Sequence, residues 1–263
     1  MLAAHSAPVK AARRLLRRRN RAERRLFLAE GPQAVREALG LPGCVREVFA
    51  IGDEPSELRE AAANAQAPWR LVEESALRSL TETVTPQGVV AVCGFLDVRL
   101  ADVLDRLPRL LAVCVDVRDP GNAGNVIRGA DAAGADAVVL AGSSVDPYNG
   151  KAVRSSAGSL FHLPICVEPD ALDVVRRTKA AGHTVLAATG SGEVDLDAAA
   201  DGDLLAGPSS WLFGNEAHGL PGQLLAAADH QVAIPIHGRA ESLNLGTAAA
   251  LCLYASARAH RRG

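Results

Sequence analysis

Short apolar runs alternate with amphipathic stretches along nearly the whole chain, a pattern that predicts strands interleaved with helices. Residues 25–31 read as a strand that ends in a turn, and Pro32 suits the first turn of a helix over 33–39. Strands follow at 45–51, 69–72 and 89–95, with helices at 56–65 and 75–80 between them. Residues 110–117 (LLAVCVDV after Arg109) are almost continuously apolar, as expected of a strand buried on both faces of a parallel sheet. Further strands are predicted at 137–140, 163–167, 184–188, 210–213 and 231–236, and helices at 125–133, 171–180, 223–228 and 245–259. Gly134 is placed to cap the first of these helices. The fold class is therefore α/β: a small N-terminal α/β domain over 1–95, a linker over 96–108 and a mostly parallel-sheet domain over 109–263.

Composition narrows the function classes. Hydrophobic residues make up 48% of the 263 residues but aromatics only 3%, so the core is aliphatic. The five cysteines, Cys44, Cys93, Cys114, Cys166 and Cys252, form no C-x-x-C pair, which argues against a zinc site and a disulfide framework and for buried thiols in a reducing cytosol. No apolar run approaches membrane-spanning length and the N-terminus lacks the order of a signal peptide, so a soluble, cytoplasmic protein without a membrane partner is expected. The formal charge of −2 conceals an asymmetry. Lys10, Arg13, Arg14, Arg17, Arg18, Arg19, Arg21, Arg24 and Arg25 crowd one segment in which Glu23 is the one acid. Their three-four spacing predicts a basic stripe along one helix, and such crowding implies a polyanionic partner; phosphate-backbone contacts are expected from Arg13, Arg14, Arg17, Arg18, Arg21 and Arg24.

Three polar loops, each between a strand and a helix, carry the candidate chemistry. The first runs Asp119-Pro120-Gly121-Asn122-Ala123-Gly124 towards Arg128. The second runs Leu212-Phe213-Gly214-Asn215-Glu216-Ala217-His218-Gly219-Leu220, and the third Ile234 to Asn244. Asn or Ser at such junctions also caps helices, which explains any one residue but not three loops of the same design. Gly121, Gly124 and Gly129 follow a strand but read G-x-x-G-x-x-x-x-G, the wrong spacing for a dinucleotide-binding fingerprint.

Asn122, Gly124 and Arg128 (N-x-G-x-x-x-R), then Gly214, Glu216, Gly219 and Leu220 (G-x-E-x-x-G-L), then Ile234 and Pro235 followed by Ser242, Leu243 and Asn244 (I-P…S-L-N) resemble the three motifs of the SpoU/TrmH family of RNA ribose 2′-O-methyltransferases, in the SPOUT superfamily. The resemblance covers about the last three-fifths of the chain. The phrases Phe27-Leu28-Ala29-Glu30-Gly31 and Thr85-Pro86-Gln87-Gly88-Val89 look like those of the N-terminal substrate-binding domain of many members, a domain similar to a ribosomal-protein RNA-binding fold.

The resemblance implies a C-terminal SPOUT domain with a trefoil knot, S-adenosylmethionine as cofactor, RNA as partner with ribosomal RNA favoured over transfer RNA, and a homodimer through the C-terminal domain whose active sites both subunits complete. It also implies site residues. Arg128, Asn122, Glu216, Ser242 and Asn244 are expected to be catalytic, Arg128 by binding the ribose hydroxyl or its adjacent phosphate. A guanidinium is an improbable general base, and fork-like phosphate binding is the physically easier role. Glu216 is expected to pair with Arg128, take the proton, or cap the following helix. Gly214, Ile234, Leu243, Thr189, Gly190 and Gly219, with apolar Leu212 and Ile236, are expected to hold the cofactor. Lys151 and Arg154 beside Ser155-Ser156-Ala157-Gly158 are secondary RNA contacts, and no metal is expected. One departure stands out: the family often continues V-S-V-A after S-L-N, where this chain has Leu245-Gly246-Thr247-Ala248. Rival readings are a non-catalytic RNA-binding protein that keeps the fold, and a nucleotide-dependent metabolic enzyme.

Overall fold

The computed structural model describes residues 1–52 and 56–262. The chain forms two compact units, Met1–Leu96 with Asp146–His162, and Asp97–Val145 with Leu163–Gly263. The first unit thus contains a segment that the linear order of the elements assigns to the second half of the chain.

In the first unit, strands β1 (Leu26–Glu30), β2 (Val45–Ala50), β3 (Trp69–Leu71) and β4 (Val89–Gly94) form one sheet in the order β1-β4-β2-β3. β4 runs antiparallel to both β1 and β2, and β2 is parallel to β3. The expected single arginine helix is broken. Helix Ala7–Arg13 passes into a tight turn at Arg14–Leu16, Arg17 is extended, and a second helix spans Arg18–Arg24. The break leaves the carbonyls of Leu15 and Leu16 without helical partners, and Arg21 Nη1 donates to both at 2.9 Å. Its side chain is 5% exposed and pairs with Asp146 at 2.8 Å. Arg21 therefore belongs to the interior and not to the solvent-facing basic surface. The inserted segment also supplies aromatic packing: Tyr148 lies 4.7 Å from Phe27 and 3.9 Å from Phe95 between ring centroids, and its hydroxyl accepts from the Leu96 N–H at 2.7 Å.

The second unit holds seven strands, all parallel: β5 (Leu110–Val115), β6 (Ala137–Ala141), β7 (Ile165–Glu168), β8 (Thr184–Ala188), β9 (Val194–Asp195), β10 (Ser209–Phe213) and β11 (His230–Ala233). Their order is β7-β6-β5-β10-β8-β11-β9. β5, β6 and β10 are buried at every position, which explains their unbroken apolar runs. Two boundaries differ from the sequence reading for local reasons. The helix expected at 125–133 begins at Pro120, because the Asp119 side chain caps it by accepting from the Asn122 N–H and proline fits the first turn. β11 stops at Ala233, so Ile234–Ile236 lie outside the ladder. Short helices also occupy Leu100–Leu104, within the stretch read as a linker, and Gly150–Ser155.

Candidate active site

Parallel strands end at the same edge of a sheet, so the loops that follow neighbouring strands are brought together. β5, β10, β8 and β11 are consecutive in the order, and they lead into residues 116–119, 214–220, 189–192 and 234–244. The three motifs, far apart in sequence, are neighbours for this reason.

A chain of side-chain hydrogen bonds joins them. Asn244 Nδ2 donates to Asn122 Oδ1 at 2.9 Å, and Asn122 Nδ2 donates to Glu216 Oε1 at 3.0 Å. Glu216 also accepts from the backbone N–H groups of Arg118 and Asp119, each at 3.3 Å. Burial by itself raises the pKa of Glu216, but these hydrogen bonds outweigh it and hold the group below its ordinary value. Glu216 is thus an ionised anchor for the start of the first motif and is not paired with Arg128. Asn244 doubles as the N-cap of helix Leu245–His260, its Oδ1 accepting from the Gly246 N–H at 2.9 Å.

Arg128 is exposed on helix Pro120–Ala133, and its side chain has no hydrogen-bonding or ionic partner among the described residues. Ser242 is exposed as well. The backbone of 234–243 makes no hydrogen bond among the described residues, so its N–H and C=O groups are available to a ligand. Within this segment Ile236 is 38% exposed and Leu243 is half-buried, leaving apolar surface beside free backbone groups. Leu212, by contrast, is fully buried in the core and can support the loops only from beneath. The tight loop after β10 depends on glycine: a Cβ on Gly214 would meet the Gly219 backbone and lie 2.5 Å from Leu220 N, and Gly219 has φ +66°. Thr189 ties β8 to β11 by donating its N–H to Val232 O at 3.0 Å, and Gly190 beside it is exposed.

Two residues that the sequence reading did not single out shape the second loop. Asn215 donates from Nδ2 to the Asp116 carbonyl at 2.8 Å, and its Oδ1 accepts from the N–H groups of Ala217 and His218. Asp116 adopts a left-handed backbone (φ 53°) and accepts from Ser143 N at 2.7 Å. Asn215 sat inside a motif and was visible as an asparagine in a turn; nothing in the sequence marks the conformation of Asp116.

The basic residues of the first unit divide. Lys10, Arg13, Arg14, Arg17 and Arg24 line a groove of about 680 Å³ together with Leu16, Asn20 and Glu23. Arg18 is exposed outside that lining, and Lys151 is exposed too. Arg154 is half-buried and pairs with Glu30 at 3.0 Å, so much of its charge is already met.

Comparison with known proteins agrees with this geometry. Residues 109–254 match the SpoU rRNA Methylase family, and residues 7–91 match the MRM3-like substrate binding domain. The chain is 35% identical to the 23S rRNA (guanosine(2553)-2′-O)-methyltransferase RlmP of Bacillus subtilis over 99% of its own length and 98% of that protein. It is 39% identical to the 23S rRNA (uridine(2479)-2′-O)-methyltransferase of Streptomyces viridochromogenes over 66% of this chain and 61% of that one. Among solved structures, an AdoMet-bound rRNA methyltransferase from Sinorhizobium meliloti superposes with a TM-score of 0.84 at 32% identity, covering 96% of this chain and 95% of that one. The SpoU methyltransferase AviRb from Streptomyces viridochromogenes, in complex with AdoMet, gives 0.84 at 32% identity over 98% of this chain and 100% of that one.

Proposed function

The chain belongs to the SpoU rRNA Methylase family, and we propose on that premise that it transfers a methyl group from S-adenosylmethionine to a ribose 2′-hydroxyl of large-subunit ribosomal RNA in the cytoplasm. The observation that carries this reading is the Asn244–Asn122–Glu216 chain of hydrogen bonds, which locks the three motif loops into one site. Ribosomal RNA is favoured as substrate because a separate substrate-binding unit accompanies the site and a relative matched over its full length is named for 23S rRNA.

The residues present fit the cofactor. Unpaired backbone groups at 234–243 suit an adenine edge, with Ile236 and Leu243 against its apolar faces. Gly214 and Gly219 let the loop backbone approach closely, and Thr189 and Gly190 close the neighbouring side. When bound, S-adenosylmethionine supplies the activated methyl group on its sulfonium. The protein supplies position. Asn122 and Asn244 orient the sugar, Ser242 offers a further hydroxyl, and Glu216 keeps Asn122 and the 118–119 backbone in place. Arg128 holds the adjacent phosphate with a permanently charged fork, and its positive charge beside the ribose hydroxyl eases release of that proton to water.

The family resemblance implies a homodimer through the second unit, with each site completed by both subunits. Leu251 and Tyr254, 45% and 49% exposed on helix Leu245–His260, give that dimer an apolar contact. The family fold further implies that this C-terminal segment is threaded as a trefoil knot.

Incubation with labelled S-adenosylmethionine and unmodified 23S rRNA, followed by digestion to nucleosides, tests the proposal. One labelled ribose methyl is the expected result. Label in transfer RNA alone would overturn the substrate, and no label in any RNA would overturn the activity. Arg128→Ala is expected to keep cofactor binding and to lose turnover by about 100-fold or more; unchanged turnover would remove Arg128 from the site.

A further inference from the structure

A second cavity, of about 320 Å³, lies within the first unit and shares no lining residue with its arginine groove. Its wall joins the end of β1 (Glu30), the start of helix Pro32–Gly40 (Gln33), the loop before β4 (Thr83, Thr85, Gln87) and Arg154 from the inserted segment. Glycine is required in its floor. Gly31 has φ +92°, a backbone conformation that L side chains rarely adopt, and the Gln87 side-chain oxygen lies where a Cβ would stand.

The electrostatics of the cavity are neutral. Glu30, whose side chain is 8% exposed, pairs with Arg154 at 3.0 Å and accepts from the Thr83 hydroxyl. A charge already met in this way is a poor receptor for a free phosphate. The hydrogen-bonding capacity left over is planar and directional. Gln33 spends one N–H on the Ala157 carbonyl at 2.8 Å and keeps its amide oxygen, while the Gln87 amide and the Thr85 hydroxyl have no hydrogen bond among the described residues. Amide groups that offer donor and acceptor in one plane match the edge of a heterocycle.

We infer that this cavity binds an unpaired nucleobase of the substrate RNA. The inference rests on the RNA reading proposed above and deepens it by separating two tasks within the same unit. The groove of Lys10, Arg13, Arg14, Arg17 and Arg24 neutralises phosphates and carries no sequence information, whereas the cavity reads a base edge. Sequence-specific RNA recognition characteristically takes unpaired bases from loops and bulges, where their edges are free. The inserted segment Asp146–His162 has a reason to pack here: it brings the counter-ion that buries Glu30 and the carbonyl that fixes Gln33.

The test uses the full-length protein and four RNA hairpins with a common stem and loops composed only of A, C, G or U. Binding is followed by fluorescence anisotropy across a salt titration. Wild-type protein is expected to prefer one loop over the weakest by between about fivefold and 150-fold, the range a base-edge contact carries. Gln87→Met and Gln33→Met, which keep side-chain length and remove the amide, are expected to bring the four affinities within about twofold of one another while leaving the salt dependence unchanged. Arg13→Gln with Arg17→Gln is expected to do the reverse, lowering the salt slope and keeping the preference. Equal wild-type binding of all four loops, or a preference that survives both glutamine variants, would overturn the cavity assignment and leave the RNA reading intact. Failure to bind any hairpin or 23S rRNA would overturn both.

Discussion

Gly246 occupies a helix position where glycine ordinarily weakens a helix, and Gly246→Ala separates local propensity from tertiary packing. Local propensity favours alanine by up to about 1 kcal/mol, and by less in the first turn, where Gly246 sits. Packing opposes it. A Cβ on Gly246 would lie 2.7 Å from the Asn125 Cβ, closer than real carbon contacts come, and 3.3 Å from Asn244 Oδ1. The obstructing atom is attached directly to the backbone of helix Pro120–Ala133 and cannot swing aside, so the cost is that of an overpacked core, about 1–3 kcal/mol. Packing wins, by about 1–2 kcal/mol, which for a chain of this size lowers Tm by roughly 2–8 °C. The two helices that would separate carry Asn122 and start at Asn244, so methyl transfer should fall further than the lost stability requires. Thermal unfolding followed by circular dichroism, with turnover measured well below Tm, checks both parts. Asn125→Gly removes the obstructing atom, and the double variant should recover about 1 kcal/mol relative to the sum of the single changes. A Gly246→Ala protein as stable as wild type, or strict additivity in the double variant, would refute the packing argument.

Three further outcomes are expected. Arg21→Ala should destabilise the first unit by about 3–5 kcal/mol, since it leaves the Asp146 carboxylate, only 11% exposed, without its ion partner, whereas Arg24→Ala should leave stability within about 0.5 kcal/mol and weaken RNA binding; parallel denaturation and salt-titrated binding distinguish them. Glu216 has a depressed pKa in the folded protein, so its contribution is fully present above the unfolded carboxylate value of about 4.3 and is lost as pH falls through the lower folded value. The stability difference between wild type and Glu216→Gln should therefore be constant above about pH 5 and shrink below about pH 4, and a difference that grew on acidification would contradict the hydrogen-bonding account. A fragment starting at Asp97 should bind a hydrophobic dye more strongly than the whole chain, because Tyr148 and Phe161 lose Phe27, which lies 4.7 Å and 6.0 Å from their rings.

The order and type of most elements were legible in the sequence, because a strand buried on both faces must be apolar throughout; the strand expected at 110–117 forms over Leu110–Val115 and stops where Asp116 turns left-handed. The candidate site was legible in its membership: Asn122, Glu216 and Asn244 were marked by residue type at strand–helix junctions and by the motifs they complete. Their connections were not. Glu216 was open to three roles on sequence, and only the fold shows it accepting from Asn122 and two backbone N–H groups, because β5 and β10 are neighbours though nearly a hundred residues separate their loops. The arginine run looked uniform, yet Arg21 turned inward because a break in the helix left two carbonyls for it to satisfy. The packing of Asp146–His162 into the first unit had no signal at all, since an apolar face at 148 or 161 does not say which core it will enter. Local sequence determined which segments would be strands, helices and polar loops, as these follow from nearby chemistry. Tertiary structure alone decided which polar groups would find one another, because a hydrogen bond depends on position in space, and that position is set by the strand order.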